Sequence, residues 1–168
     1  MRKLRTISEG RVRVLVNTVR EDLPEIEGMN WNSMNNARTA AMRFRAYRAA
    51  MNLPEAKEAF LVVVLDSKHK PIGFETVSIG TLSASLVHPR EVFRSAIVLA
   101  GSAIVACHNH PSGDPTPSGD DDSVTERLRE VGGLLGVPCL DHVILGDNKF
   151  YAYSDCAFHS YIPTPYED

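Results

Sequence analysis

One short segment restricts the fold more than any other part of the sequence. Residues 60–65 read FLVVVL, six apolar residues without a polar interruption. The three valines favour a β-strand, and the absence of polar positions predicts that this strand is buried on both faces. Such a strand needs a covering layer on each side of its sheet. The segment therefore predicts an α/β fold with helices flanking a central sheet.

The other periodicities arrange elements around this strand in the order β-α-β-β-α-β-α-β-β. Pro89 suits the first turn of a helix, and glycines suit the ends of two helices. The pattern predicts a three-layer-like sandwich of one mixed β-sheet with flanking helices. Strands are expected at 11–16, where a sheet edge is predicted, and at 60–65, 72–79, 102–107, 143–145 and 150–153. Helices are expected from an N-cap at Ser33 to Met51, from Pro89 to Gly101, and after Ser118 up to Gly136.

Length and charge limit the class of protein further. A chain of 168 residues with 43% hydrophobic residues favours one domain with a normal core. Residues 1–50 carry ten Lys/Arg and five Asp/Glu, whereas the rest of the chain carries eight and sixteen. This basic segment has two open interpretations, a contact with nucleic acid or a solvated surface. A strand at 12–19 with an open edge would also allow a homodimer by edge pairing.

Targeting signals and cysteine usage predict a cytoplasmic protein. No apolar run approaches the roughly 18 residues that a membrane span needs. The first residues are basic, but no apolar stretch follows them, so a secretory signal is not expected. The three cysteines, an odd number without a framework spacing, indicate a reducing compartment.

The residues that carry chemistry lie where the strand at 102–107 ends. His108 and His110 are two apart, so both imidazoles face the same side and can reach one metal ion. Pro111 stops the strand, and Asp120, Asp121 and Asp122 open the next helix. One of these carboxylates can complete a His₂-carboxylate set, which leaves the fourth position of a tetrahedral zinc ion for water. The chemistry alone does not choose among the three aspartates.

A known motif matches this arrangement. His108-x-His110-Pro111, six further residues and Ser118-x-x-Asp121 resemble the JAMM motif of JAB/MPN-type metalloproteases. The string at 108–118, HNHPSGDPTPS, resembles the RadC branch, as do the segments at 87–93 and 140–144. The resemblance covers about residues 55–155 and implies a JAB/MPN, cytidine-deaminase-like fold. Residues 1–50 do not resemble the helix-hairpin-helix region that precedes this domain in long RadC proteins.

The resemblance implies a role for each matching residue. His108, His110 and Asp121 would bind one Zn²⁺ per chain, the spacing from Ser118 selecting Asp121. The Ser118 hydroxyl would hold the oxyanion or the bound water, although Ser118 also suits a helix N-cap. The family needs an upstream glutamate as general base. Glu58, which follows the long helix and precedes the first core strand, is favoured over Glu75, which lies within the strand at 72–79.

The implied activity is that of a zinc-dependent metallopeptidase or isopeptidase acting on a peptide or a ubiquitin-like protein. Two alternatives stay open: a DNA-associated accessory protein with little or no peptidase activity, and an interaction domain that has lost its chemistry. The expected organisation is a basic strand-loop-helix extension at 1–52 packed on the domain, a catalytic domain at 53–158 and a flexible tail at 159–168. Asp141 and His142 could support the site or form a structural pair at a strand start.

Overall fold

The structure, a computed structural model, describes residues 34, 36–80 and 87–162, and the backbone of two strands nearer the N-terminus, at 3–7 and 12–16. The elements in chain order are β1 (Lys3–Ile7), β2 (Val12–Val16), α1 (Ala37–Ala50), β3 (Glu58–Leu65), β4 (Pro71–Gly80), α2 (Pro89–Val98), β5 (Ala103–Asn109), α3 (Gly119–Leu135), β6 (Cys139–Leu145), β7 (Lys149–Ala152) and β8 (Ala157–Ser160). None of the helices in these ranges is long and apolar enough to cross a membrane.

Six strands form one mixed sheet in the order β4-β3-β5-β6-β7-β8. β5 and β6 run parallel, with α3 as the crossover between them, and the other neighbouring strands are antiparallel. β2 does not join this sheet; it pairs with β1, a strand that the sequence pattern does not predict. The α/β fold with a mixed sheet and flanking helices is confirmed.

The sheet separates two apolar layers, and β3 contributes to both. Alternate residues of β3 face α1 on one side and the pair α2 and α3 on the other, as period two requires. The residues of β3 on the α1 side are Ala59, Leu61, Val63 and Leu65, and those on the other side are Phe60, Val62 and Val64. The prediction that residues 60–65 are buried on both faces is therefore confirmed.

Local hydrogen bonds decide where the helices begin and end. The predicted N-cap Ser33 lies outside the described residues; α1 begins after Asn36, whose side chain accepts a hydrogen bond from the Thr39 amide at 2.8 Å. α2 begins at Pro89 as predicted. α3 ends at Gly136, where φ of +68° is the left-handed conformation that glycine adopts without strain.

Strand pairing continues where the sequence pattern stops, so strands extend beyond the predicted segments and a further strand, β8, is added. β3 starts at Glu58, and β5 continues to Asn109, which lies opposite Leu145 of β6. β8 carries the sheet to Ser160, and the Tyr161 hydroxyl donates to the Gly146 carbonyl at 2.8 Å. Residues 159 and 160 of the expected tail belong to β8, and residues 163–168 lie outside the described range.

Candidate metal centre

The topology brings three separate elements to one end of the sheet. β3 runs antiparallel to β5 with Phe60 opposite His108, so the start of β3 lies beside the end of β5. Because side chains alternate along a strand, Glu58 and Phe60 face the same side as His108. The first turn of α3 covers this side and contributes Asp121.

His108, His110 and Asp121 meet there. The Nε2 atom of His108 lies 3.0 Å from Asp121 Oδ1 and 3.0 Å from His110 Nε2, and His110 Nε2 lies 3.4 Å from Asp121 Oδ2. One ligand atom from each residue falls within 4.8 Å of the others. His108 is fully buried and the Asp121 side chain is 6% exposed, whereas the His110 side chain is 14% exposed. The structure thus forms the group that the sequence motif predicts, open to solvent on the side of His110.

The two neighbouring aspartates point elsewhere. Asp120 is exposed, and Asp122 accepts a hydrogen bond from the Tyr153 hydroxyl at 2.7 Å. Of the three candidates at the start of α3, Asp121 is the one whose carboxylate reaches the histidines.

The second nitrogen of each histidine is occupied by a partner. His110 Nδ1 lies 2.8 Å from the Asp114 carbonyl oxygen, which can only accept, so in neutral His110 Nδ1 carries the proton and Nε2 has the lone pair. His108 Nδ1 lies 2.8 Å from Nε2 of His142. His142 therefore touches the centre, one of the two interpretations that the sequence left open for it.

Thr125 is a residue of the site that sequence reasoning missed. Its hydroxyl oxygen lies 2.6 Å from His142 Nδ1 and donates to the Asp121 carbonyl at 2.7 Å. The available signal was its spacing: four residues after Asp121, it shares one face of α3 with that carboxylate.

Burial and hydrogen bonding shift the pKa values of these residues in different directions. Burial acts to raise the pKa of the Asp121 carboxyl, but the two histidines, which can donate Nε2–H to the carboxylate in their charged forms, and the Ser118 hydroxyl outweigh it and hold that pKa well below its usual range. Burial lowers the pKa of His108, against the effect of the Asp121 carboxylate. The pKa of His110 is raised, because its charged form can donate Nε2–H to the Asp121 carboxylate. Burial also lowers the pKa of His142 well below its usual value.

Ser118 is the N-cap of α3 and forms a capping box with Asp121. Its backbone amide and its hydroxyl donate to Asp121 Oδ2 at 2.8 Å and 2.6 Å. The hydroxyl proton is thus used to hold the carboxylate. The structure shows Ser118 in the capping role and as a support of Asp121; its predicted contact with an oxyanion stays a prediction.

The two glutamates have different surroundings. Glu58 is half-buried, and its negative charge is felt by both histidines: it adds to the Asp121 hydrogen bond in raising the pKa of His110, and opposes the effect of burial on His108. Glu75 forms an ion pair with Arg94 of α2. Of the two carboxylates, Glu58 is therefore the better placed to act beside the histidines.

Asn109 fixes the start of β3 against the end of β5. Its side-chain oxygen accepts from the Ala59 amide at 2.9 Å, and its side-chain nitrogen donates to the Lys57 carbonyl at 3.2 Å. These two hydrogen bonds flank Glu58 in the chain. They restrain the backbone that carries this carboxylate.

The loop after His110 rests on the turn between β6 and β7. The His110 amide donates to the Leu145 carbonyl, and the Asp147 amide donates to the Gly113 carbonyl, each at 3.0 Å. Gly113 has a φ of +79°. Beside this loop, a cavity of about 490 Å³ is lined by His110, by Asn109, and by Arg45 and Arg48 of α1.

The donor set fits a zinc ion. Two imidazole nitrogens and one carboxylate oxygen are the ligand types that Zn²⁺ takes, and three protein ligands leave one position open, as in catalytic sites. Neutral His110 carries its proton on Nδ1 and presents an unprotonated Nε2 to the group, and Asp121 is held as the carboxylate.

Comparison with known proteins identifies the family. The sequence model of the RadC-like JAB domain matches residues 35–158, which include every residue of the centre. The chain is similar to UPF0758 proteins of Alkaliphilus metalliredigens (54% identity over 99 residues, 59% of this chain and 43% of that protein), Caldanaerobacter subterraneus (51% over 106 residues, 63% and 46%) and Methanosarcina mazei (49% over 104 residues, 62% and 45%). The matched region spans less than half the length of these relatives. On this match, the chain belongs to the RadC-like JAB domain family.

Proposed function

We propose that this chain is a zinc-dependent hydrolase of amide bonds, a peptidase or an isopeptidase. The observation that carries the proposal is the convergence of His108, His110 and Asp121 within 4.8 Å. Membership of the JAB domain family supports the same reaction class. The relatives carry no more specific name than UPF0758, so the substrate is part of the proposal.

The three converging residues would hold one Zn²⁺, His108 and His110 through Nε2 and Asp121 through its carboxylate. Zinc in such a set supplies Lewis-acid chemistry: it polarises a carbonyl oxygen and makes water a nucleophile at neutral pH. Ser118 would keep the Asp121 carboxylate in place through its amide and hydroxyl.

Glu58 would act as the general base and acid. It lies at the mouth of the site, on the face of the sheet that carries the histidines, and its charge acts on both of them. Its carboxylate would take a proton from the attacking water and return it to the nitrogen of the leaving amine. Asn109, which holds the adjacent backbone, would keep Glu58 at the right distance.

The proposed substrate is a peptide chain or a ubiquitin-like protein, which approaches from the side of His110. This side is the more exposed part of the group and opens beside the cavity at α1. A cytoplasmic location belongs to the same proposal and is consistent with the absence of disulfide bonds among Cys107, Cys139 and Cys156.

Substitution of the two glutamates tests the mechanism. Glu58→Gln should retain zinc and lose turnover of peptide and isopeptide substrates by about 10² to 10⁴, the usual contribution of general acid–base catalysis. Glu75→Gln is the matched control, and we expect turnover within a few-fold of the wild type because Glu75 faces Arg94.

Zinc content and turnover are measured on the same preparations. The reverse result would transfer the catalytic role to Glu75, and loss of zinc from Glu58→Gln would make Glu58 a ligand or a structural support. Wild-type protein that holds zinc but cleaves none of these substrates would refute the hydrolase assignment.

A further inference from the structure

We propose that His142 is a positioning residue of the metal centre. With Thr125, it fixes the ring proton of His108 on Nδ1, so that His108 presents an unprotonated Nε2 to the ion. This inference rests on the proposed metal centre and concerns two residues that neither the family motif nor the relatives' names assign.

Thr125 sets the direction of these hydrogen bonds, because a hydroxyl group has one proton. The Asp121 carbonyl oxygen lies 2.7 Å from the Thr125 oxygen and can only accept, so the hydroxyl proton is used there. His142 Nδ1 lies 2.6 Å from the same oxygen. At this distance a proton must lie between the two atoms, and His142 Nδ1 is therefore the donor.

The direction of this hydrogen bond determines the next one. A neutral imidazole has one donor and one acceptor nitrogen, so a protonated Nδ1 makes Nε2 of His142 an acceptor. Nε2 lies 2.8 Å from His108 Nδ1, which must then donate. In neutral His108 the lone pair is then on Nε2, which lies 3.0 Å from Asp121 Oδ1 and can bind the ion beside that carboxylate.

Packing prevents the His142 ring from flipping, which would exchange the positions of its donor and acceptor nitrogens. The ring is fully buried and stacks on Tyr153, with centroids 5.3 Å apart and planes 11° apart. The Phe60 ring lies 5.4 Å away on a tilted plane. A flipped ring would have to displace these neighbours, and the burial of the ring keeps bulk water away as a substitute partner.

Both histidines of the centre therefore carry the proton of the neutral ring on Nδ1, but different partners hold it there. His110 donates to a backbone carbonyl, which cannot change its role. His108 donates to an imidazole, which accepts only while Thr125 holds its other nitrogen. Asp121 lies at both ends of this chain of contacts, because its carboxylate lies beside His108 and its backbone carbonyl accepts the hydrogen bond that orients Thr125.

Two matched pairs of variants test this inference. His142→Leu removes the acceptor, whereas His142→Gln offers an amide oxygen in its place. Thr125→Val removes the hydroxyl at constant shape, and Thr125→Ser keeps it. Zn²⁺ affinity is measured by competition with a chromophoric chelator, and the protonated ring nitrogens of the zinc-loaded protein are read by ¹⁵N–¹H correlation NMR of the imidazoles.

We expect Zn²⁺ affinity to fall about 10- to 100-fold in His142→Leu, the usual effect of losing an outer partner of a ligand, and to return to within a few-fold of wild type in His142→Gln. Thr125→Val should also bind zinc more weakly than Thr125→Ser. In the NMR spectra of the wild type, His142 should carry its proton on Nδ1. In Thr125→Val, this proton should exchange between Nδ1 and Nε2.

Wild-type affinity in His142→Leu, or a His142 ring protonated on Nε2 in the wild type, would overturn the inference while leaving the metal centre intact. Wild-type protein that binds no zinc would instead refute the centre, and this inference with it. If His142→Leu does not fold, the Thr125 pair decides: equal zinc affinity of Thr125→Val and Thr125→Ser overturns the inference.

Discussion

A substitution at Gly146 tests whether the turn between β6 and β7 holds the loop that follows His110. A Cβ atom at Gly146 would lie 2.5 Å from the Gly113 carbonyl oxygen, 2.6 Å from Pro115 Cδ and 2.9 Å from the Lys149 carbonyl oxygen. Ordinary contacts begin at 3.4 Å, so in Gly146→Ala the loop has to move away by about 0.9 Å. The atoms it meets are mainly backbone, which cannot rotate aside as a side chain can.

The size of this displacement sets the expected loss of turnover and of stability. A shift of about 1 Å in a catalytic group costs on the order of 10² in turnover, and overpacking a close contact costs about 1–3 kcal/mol of unfolding free energy. We therefore expect Gly146→Ala to fold, to unfold at lower urea concentration than the wild type, and to lose turnover about 100-fold.

Gly133→Ala is the control for this substitution. Its added Cβ would meet nothing within 4 Å, and alanine is favoured over glycine inside a helix by about 0.5–1 kcal/mol. Urea unfolding and turnover are measured for both variants. Wild-type stability and turnover in Gly146→Ala would show that the loop does not depend on this contact, and the account of the His110 loop would be wrong.

Two further predictions concern the metal. Asp121→Asn should bind zinc more weakly than wild type in calorimetric titration, because a neutral amide is a poorer ligand, whereas Asp120→Asn should bind normally; the opposite order would refute the choice of Asp121. Below the pKa of His110, zinc affinity should fall about tenfold for each pH unit, because one proton must leave His110 for each ion bound. The interaction with Asp121 raises this pKa above its usual value. Burial lowers the pKa of His108, so a proton on His108 competes with zinc only at more acidic pH, where the affinity should fall more steeply with pH. An affinity that does not change from about pH 5 to 8 would contradict the assignment of both His108 and His110 as ligands.

The candidate metal-binding group could be predicted from the sequence because its geometry is local. His108 and His110 are related by the period of one strand, and Asp121 lies in the first turn of the next helix. Strand, loop and helix are consecutive, so few arrangements are available to them. No knowledge of the rest of the sheet is needed to place these three residues together.

The choice between Glu58 and Glu75 could not be settled in this way. It depends on the register of β3 against β5, in which Phe60 lies opposite His108, and this pairing joins residues far apart in the chain. For the same reason Thr125 was missed and two interpretations of His142 stayed open, since the contact between these residues crosses from α3 to β6.

A short strand and the end of a longer strand escaped prediction because they have little sequence pattern of their own. β8 is only four residues long, AFHS, and forms by pairing with β7. β5 extends past Cys107 because β6 continues to pair with it as far as Asn109. In both cases the partner strand, and not the local sequence, determines the secondary structure.

The double use of Asp121 has a consequence for the motion of α3. The start of a helix ordinarily opens at little cost, because its first amides lack acceptors within the helix. In α3 the carboxylate that caps this turn also touches two imidazoles, so the turn cannot unwind without withdrawing Asp121 from them. Local opening and loss of the centre are one event. Hydrogen exchange at the first amides of α3 would therefore slow when the site is filled, and would report its occupancy without any substrate.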